Sequence, residues 1–415
     1  MKNLLIVILC LLALSCENRK EKSTVSNTRL QTGDWLVQLT VQDNEILPFT
    51  IVVTKGNLLT IHNAAEEITV DEVRIKGDSI YIQTPVFEGY LAGVIAKDGK
   101  RITGDFIKPS LDRVVPFTMT YGKKERFPEL SNYEKPQSID VSGNWETVFS
   151  PDNDEERYIA KGIFEQNGNT VTGTFRTTTG DYRYLEGTIA GTRMKLSTFD
   201  GAHAFLFTAT VVGDSLTGTF YSGNHFKEPF RAKRNPNYEL PDDKTLTYLK
   251  EGYDKLAFSF PDSSGKMISL DNERFKDKVV LVQIMGTWCP NCLDETKYYV
   301  DYLKKNPNNN LEIIALAFEY APTPEKAFAS IQRLKDRLGV TYPIVLAQYG
   351  SEDKKLAQEK LPMLNQVLSY PTTIFIDKKG AVRRIHTGFN GPATGEKHED
   401  FKTDFEAFVA GLVAE

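Results

Sequence analysis

In two stretches of the N-terminal half, apolar side chains alternate with polar or intermediate ones. Trp35, Val37, Leu39 and Val41 form one such series; Phe205, Phe207, Ala209 and Val211 form the other. A period of two places one face of an extended chain against a core, so both read as half-buried strands. Glycine-containing turns recur about every ten residues through this half, a spacing that favours a β-meander. Further on the pattern changes. Val279-Val280-Leu281-Val282-Gln283-Ile284-Met285 is a short, almost continuous apolar run ended by Gly286, which predicts a buried strand. From Leu293 to Lys305 the pattern is helical, and Asn306-Pro307 stops it.

The strand-rich half contains an internal repeat. Gly33-Asp34-Trp35 recurs as Gly143-Asn144-Trp145, Gly56-Asn57 as Gly168-Asn169, Ile102-Thr103-Gly104-Asp105-Phe106 as Leu216-Thr217-Gly218-Thr219-Phe220, and Pro116-Phe117 as Pro229-Phe230. The offsets are 110, 112, 114 and 113 residues. Near-constant spacing over four anchors predicts two copies of one all-β unit, at residues 30–125 and 139–235, each a meander closed into a barrel or a sandwich. Trp35 and Trp145 are expected as core plugs rather than as walls of a ligand cavity. Proline-bearing linkers follow each copy, at Asn132-Tyr133-Glu134-Lys135-Pro136 and at Asn235 to Pro241, and a helix is predicted over Asp242 to Gly252.

The N-terminus sets the expected compartment. A short basic start, Met1-Lys2-Asn3, precedes the apolar run Leu4 to Leu14, which is too short to span a bilayer. Ser15-Cys16 closes the run. This resembles a bacterial lipoprotein signal, which implies removal of residues 1–15, acylation of Cys16, a polar tether over residues 16–29, and a soluble body held at a membrane on the periplasmic side of the cell envelope. The chain has 415 residues, more than one ordinary core, with 40% apolar content and a formal charge of −5 that argues against nucleic acid as a partner.

Of four cysteines, Cys10 and Cys16 belong to this leader, so the body carries only Cys289 and Cys292, in Trp288-Cys289-Pro290-Asn291-Cys292. If Cys289 stands at the start of the helix, its thiolate faces unpaired N–H groups and the positive end of the helix dipole, which makes it the better nucleophile. Cys292 then lies one turn inside. A zinc half-site would need two further ligands at short spacing, and none follow; His62, His203, His225 and His398 share no metal-like spacing, so no metal is expected. Pro371, directly before the apolar run Thr372 to Ile376, cannot donate to a ladder and belongs at a strand's first position, where a cis bond is the kind of special feature found.

These residues together resemble the thioredoxin superfamily, and more closely the membrane-anchored TlpA/ResA-like thiol-disulfide oxidoreductases, over about residues 256–415. The resemblance rests on Phe258-Ser259-Phe260-Pro261-Asp262, Lys278-Val279-Val280-Leu281, Gly286-Thr287-Trp288-Cys289, Tyr370-Pro371-Thr372-Thr373, Asp377-Lys378-Lys379-Gly380 and a closing helix from about His398 to Val413. It implies an α/β thioredoxin-like domain, here taken as residues 242–415. It also implies that Cys289 is the exposed nucleophile and Cys292 the resolving thiol. Glu295 would be a carboxylate one turn on that takes and returns a proton, Pro371 a cis-proline packed against the pair, Tyr370 a backbone partner for an incoming strand, and Trp288 the aromatic beside the nucleophile. A solvated helix-face glutamate is the alternative for Glu295, with Asp294 exposed on either reading. Two departures stand out: Thr296-Lys297 replaces a proline often found after the glutamate, and residues 348–369 insert a polar, helical stretch before Pro371. His386 reads as structural rather than as a base.

The function implied is protein-disulfide reduction without an organic cofactor. Clients would be disulfide-bearing envelope proteins, with the haem-binding cysteines of apocytochrome c as one class, and a membrane thiol electron carrier would recharge the pair. A peroxiredoxin-like peroxidase is the nearest enzyme alternative; it needs Thr or Ser three residues before its reactive cysteine, and Cys289 occupies that place before Cys292. The remaining alternative is a ligand-binding or partner-binding lipoprotein whose β repeats carry the function.

Overall fold

A computed structural model describes residues 30–131 and 139–415. The predicted signal, tether and Cys16, and the linker Asn132 to Pro136, lie outside the described residues. No helix among those described is long and apolar enough to cross a membrane.

The N-terminal region is all-β and forms two barrel-like sheets. In the first, nine strands between Gly33 and Tyr121 pair antiparallel, each with its neighbour in sequence except the fourth with the fifth, and the first strand also pairs with the last, Trp35 facing Tyr121. Its fourth and fifth strands, Glu66–Val70 and Glu72–Lys76, each pair on one side only, so the sheet is interrupted at Asp71. The second closes completely. Strand Gly143–Phe149 pairs with both Tyr158–Asn167 and Phe226–Arg234, and Tyr158–Asn167 pairs on with Thr170–Thr177, giving an eight-stranded ring. A ring of that size is just wide enough for side chains to fill. Phe149, Phe164, Phe175, Phe207, Phe220 and Phe230 fill it, in stacked and edge-on pairs. Trp35 and Trp145 are fully buried core residues, each donating its indole N–H to a carbonyl four residues back, Gln31 at 2.9 Å and Val141 at 2.8 Å.

The sheets pack against one another. Phe199 of the second barrel stacks on Phe49 of the first sheet at 4.2 Å, and Leu206 and Tyr221 join that sheet's core.

The C-terminal domain is built on a five-stranded mixed sheet. Its central strand β1 (Val279–Met285) is buried at all seven positions, as a strand flanked on both sides must be. Helix α1 (Pro290–Lys305) leads to β2 (Leu311–Phe318), α2 (Pro324–Leu338) to β3 (Ile344–Gln348), and α3 (Lys354–Lys360) to β4 (Thr372–Ile376), β5 (Val382–Thr387) and α4 (Glu396–Ala414). The order is β3-β2-β1-β4-β5, with β1, β2 and β3 parallel and β4 antiparallel to both its neighbours. Thr372 pairs with Ile284, so the turn before β4 lies beside the end of β1, where α1 begins.

Asp242 to Gly252 is not helical, against expectation. It runs as turns and a single bridge, Leu249 to Leu364, with Asn365 donating to Tyr248 O at 2.9 Å and Lys250 donating to Met363 O at 2.8 Å. Backbone partners in the inserted stretch compete with the helix for these groups. Of that stretch only α3 is helical.

Candidate redox site

α1 begins where it does because Cys289 is extended (φ −95°, ψ 115°) and caps the helix, while Pro290 takes the first helical position, which needs no N–H. Cys289 Sγ accepts the Cys292 N–H at 3.2 Å, and the thiol donates to Tyr370 O at 3.3 Å. The Tyr370–Pro371 peptide is cis. Both cysteines are free thiols.

Cys289 is not exposed as expected: only 5% of its surface reaches solvent. Trp288 and Tyr370 pack edge to face at 5.6 Å beside it, and the Trp288 indole donates to Phe318 O at 2.9 Å. Cys292 is fully buried. Burial pushes its thiol well above the usual range, and the bond and charge of Cys289 push the same way.

Behind the pair lies a buried polar cluster. Cys292, Glu295, Thr296, Tyr299 and Val300 recur at the three- and four-residue spacing of one helix face, and all are buried. Glu295 is therefore not a solvated helix-face residue. Gln283 of β1 donates to its Oε2 at 2.8 Å, Thr373 of β4 donates to its Oε1 at 3.0 Å, and the Tyr299 hydroxyl lies 3.0 Å from that oxygen. Gln283 and Thr373 are direct cross-strand partners. Burial raises the Glu295 carboxyl above its ordinary value, against the Gln283 bond and the charge of His386. His386 of β5 faces Thr373 across the ladder, and its Nδ1 lies 3.2 Å from Asp243 Oδ1.

Asp294 also departs from expectation. Its side chain is 11% exposed and forms an ion pair with Arg183 of the second barrel.

Three groups escaped the sequence reading. Glu319, just past β2, is buried and accepts from Thr287 N at 2.8 Å and Thr287 Oγ1 at 2.7 Å; burial pushes its carboxyl up to about 7 despite both bonds. An acid ending an apolar strand was the available signal. Gln283, a lone amide inside β1, was another. The third group, Asp181 and Arg183 on the second barrel, carries no local signal.

The arrangement can exchange two electrons between a dithiol and a disulfide, with a buried acid one turn from the inner sulfur. The Redoxin family model matches residues 250–403. Over 140 residues the chain is 31% identical to the Thioredoxin-like protein YneN of Bacillus subtilis, covering 34% of this chain and 73% of that one. Over 151 residues it is 30% identical to the thiol-disulfide oxidoreductase ResA of Halalkalibacterium halodurans, covering 35% of this chain and 72% of that one. The chain belongs to the ResA-like thiol-disulfide oxidoreductases. ResA of Bacillus subtilis is 27% identical over 140 residues, covering 34% of this chain and 69% of that one. The Redoxin match starts at residue 250, so in this ResA-like chain both β sheets lie outside it.

Proposed function

We propose that the chain is a protein-disulfide reductase of the bacterial cell envelope, held at a membrane by lipid on Cys16. The observation that carries the reading is the dithiol at the start of α1, with Cys289 at the first-turn N–H, Cys292 buried behind it, cis-Pro371 alongside and Glu295 one turn further.

In this reading the Cys289 thiolate attacks one sulfur of a client disulfide. A mixed disulfide forms, and the client's other sulfur leaves as a thiolate and takes a proton. Cys292 then gives its proton toward the Glu295 carboxylate and attacks Cys289 Sγ, releasing the second client thiol. The client has gained two electrons and two protons, and the Cys289–Cys292 disulfide has formed. A membrane thiol electron carrier returns the electrons. Residues Trp288 and Tyr370 flank the incoming client.

Insulin-disulfide reduction by the purified chain, set beside hydrogen peroxide turnover, tests the reaction. Insulin reduction that disappears in Cys289→Ser supports the proposal, and peroxide turnover without insulin reduction rejects it. Cys16→Ser is expected to move the protein from membranes to the soluble envelope fraction. A variant that still sediments with membranes through its N-terminus rejects the anchor.

A further inference from the structure

The face of a redox domain that meets a client is formed by the start of α1 and the turn before β4, and here another part of the same chain already sits on it. Between strands Thr170–Thr177 and Leu185–Ala190 the second barrel makes an excursion, folded back by a two-residue pairing of Gly180-Asp181 with Arg176-Thr177. This hairpin touches both halves of the face. Asn291, between the two cysteines, donates its side-chain N–H to Asp181 O at 3.2 Å, and Arg183 donates to Pro290 O at 3.3 Å. Ser369, two residues before Pro371, donates to Thr179 O at 2.8 Å. Gly388, whose N–H bonds Pro371 O, runs so close that a Cβ there would stand 2.8 Å from the Thr179 carbonyl carbon. A Cβ on Gly180 would overlap the Asn291 amide. Gly391 N donates to Asp181 Oδ2 at 2.6 Å.

One cation ties the parts together. Arg183, 5% exposed, pairs with Glu66 of the first sheet, Asp200 of its own barrel (3.4 Å) and Asp294 of α1. The first sheet is clamped independently at its interruption, where Arg337 of α2 holds Asp71 at 2.9 Å and Arg333 holds Glu72 at 2.6 Å. Its loop residues Val86 and Phe87, with Ala202 of the second barrel, join the apolar cluster that contains Cys289.

We infer that the Thr178–Arg183 hairpin is a self-supplied occupant of the client face, that this structure is the closed state, and that a protein disulfide reaches Cys289 only after the hairpin lifts. The inference rests on Cys289 being the client-facing thiol. A folded client must bring a sulfur into bonding contact with Cys289 Sγ, which the residual opening does not admit. Arg183 is the latch: without it, carboxylates from three separate bodies face one another unneutralised, and separation lets them hydrate.

The test is the rate at which Cys289, identified by peptide mapping, is alkylated in the full dithiol chain by iodoacetamide and by a polyethylene-glycol maleimide. When opening is fast, the bulky reagent reports the population of the open form. Relative to the denatured chain, the folded wild type is expected to slow the bulky reagent at least about tenfold more than the small one. Arg183→Met and Gly180→Val, which loosen the cover by different routes, should each raise the bulky rate about tenfold or more. If Arg183→Met fails to fold, Gly180→Val and the wild-type ratio decide. Equal slowing of both reagents in the wild type, or an unchanged bulky rate in the folded variants, overturns the inference. Insulin reduction on the same samples separates the two readings: turnover with unchanged bulky alkylation sinks the cover and leaves the reductase. Faster alkylation without turnover sinks the reductase and leaves the cover.

Discussion

Two buried carboxylates, Asp200 in the second barrel and Glu319 below the Cys289 loop, sit in opposite electrostatic settings. Burial works against ionisation at both. At Asp200 it is outweighed by His203 and Arg183, which hold the group down to about 2. At Glu319 only Thr287 offers hydrogen bonds, and the carboxyl stays up at about 7. Glu295, whose hydrogen-bond partners are an amide and two hydroxyls, is likewise raised. In the β half, buried Arg126 meets Glu186 at 3.2 Å and buried Arg183 meets Glu66 and Asp200, whereas burial pushes Asp181, held by backbone N–H groups, up to about 6. Glu295 and Glu319 form no ion pair among the described residues, and burial raises the carboxyl of each.

The comparison can be broken at several points. Trp145→Ala removes a fully buried side chain from the core of the second barrel, the ring beneath Arg234, which lies 4.5 Å from its centroid. It is expected to cost about 3–5 kcal/mol in urea unfolding, while the pH dependence of disulfide reduction stays as in the wild type. A shifted pH profile would place chemistry in the β half.

Glu319→Gln sharpens the contrast through pH. The carboxyl lies at 4.5 when unfolded and about 7 when folded, so its contribution is fully present below the lower value and is lost as pH rises through the upper one. The loss amounts to roughly 3 kcal/mol. Urea unfolding at several pH values should show this slope in the wild type and a correspondingly flatter profile in Glu319→Gln. Parallel profiles would remove Glu319 from the account.

Glu295→Gln keeps the shape and removes the ionisable carboxyl to which the proposed mechanism gives the Cys292 proton. Reduction is expected to slow by about a hundredfold, the low end for general acid–base groups, and to lose the limb of the pH–rate profile that a raised carboxyl supplies. An unaltered profile would make Glu295 a structural member of the cluster.

Much of the redox domain was legible because its signals are local. The run Val279 to Met285 forms β1 with the bounds its pattern predicts, α1 ends at Lys305 before Asn306, and Pro371 stands just ahead of β4. Glu295 was legible in identity but not in setting, although its place in the series Cys292, Glu295, Thr296, Tyr299 puts it on the buried face. The β half showed its strands and left its pairing open. What no local pattern carries is the meeting of distant segments. Thr179, Asp181 and Arg183 read as an ordinary turn, and only the folded chain brings them onto Pro290, Asn291 and Ser369. The exposure expected for Asp294 failed for that reason, since Arg183 pairs with it. Asp242 to Gly252 failed as a helix in the same way, since its backbone partners lie near residue 364.

The assignment of Cys289 as attacking sulfur and Cys292 as resolving sulfur is tested most directly by trapping. Cys292→Ser leaves a mixed disulfide with nothing to release it. Expressed in a bacterial envelope and analysed by mass spectrometry, this variant is predicted to accumulate client proteins disulfide-bonded to Cys289, and Cys289→Ser to accumulate none, because Cys292 is fully buried. Adducts on Cys292, or no adducts from Cys292→Ser while the wild type cycles between its dithiol and disulfide forms, would contradict the account.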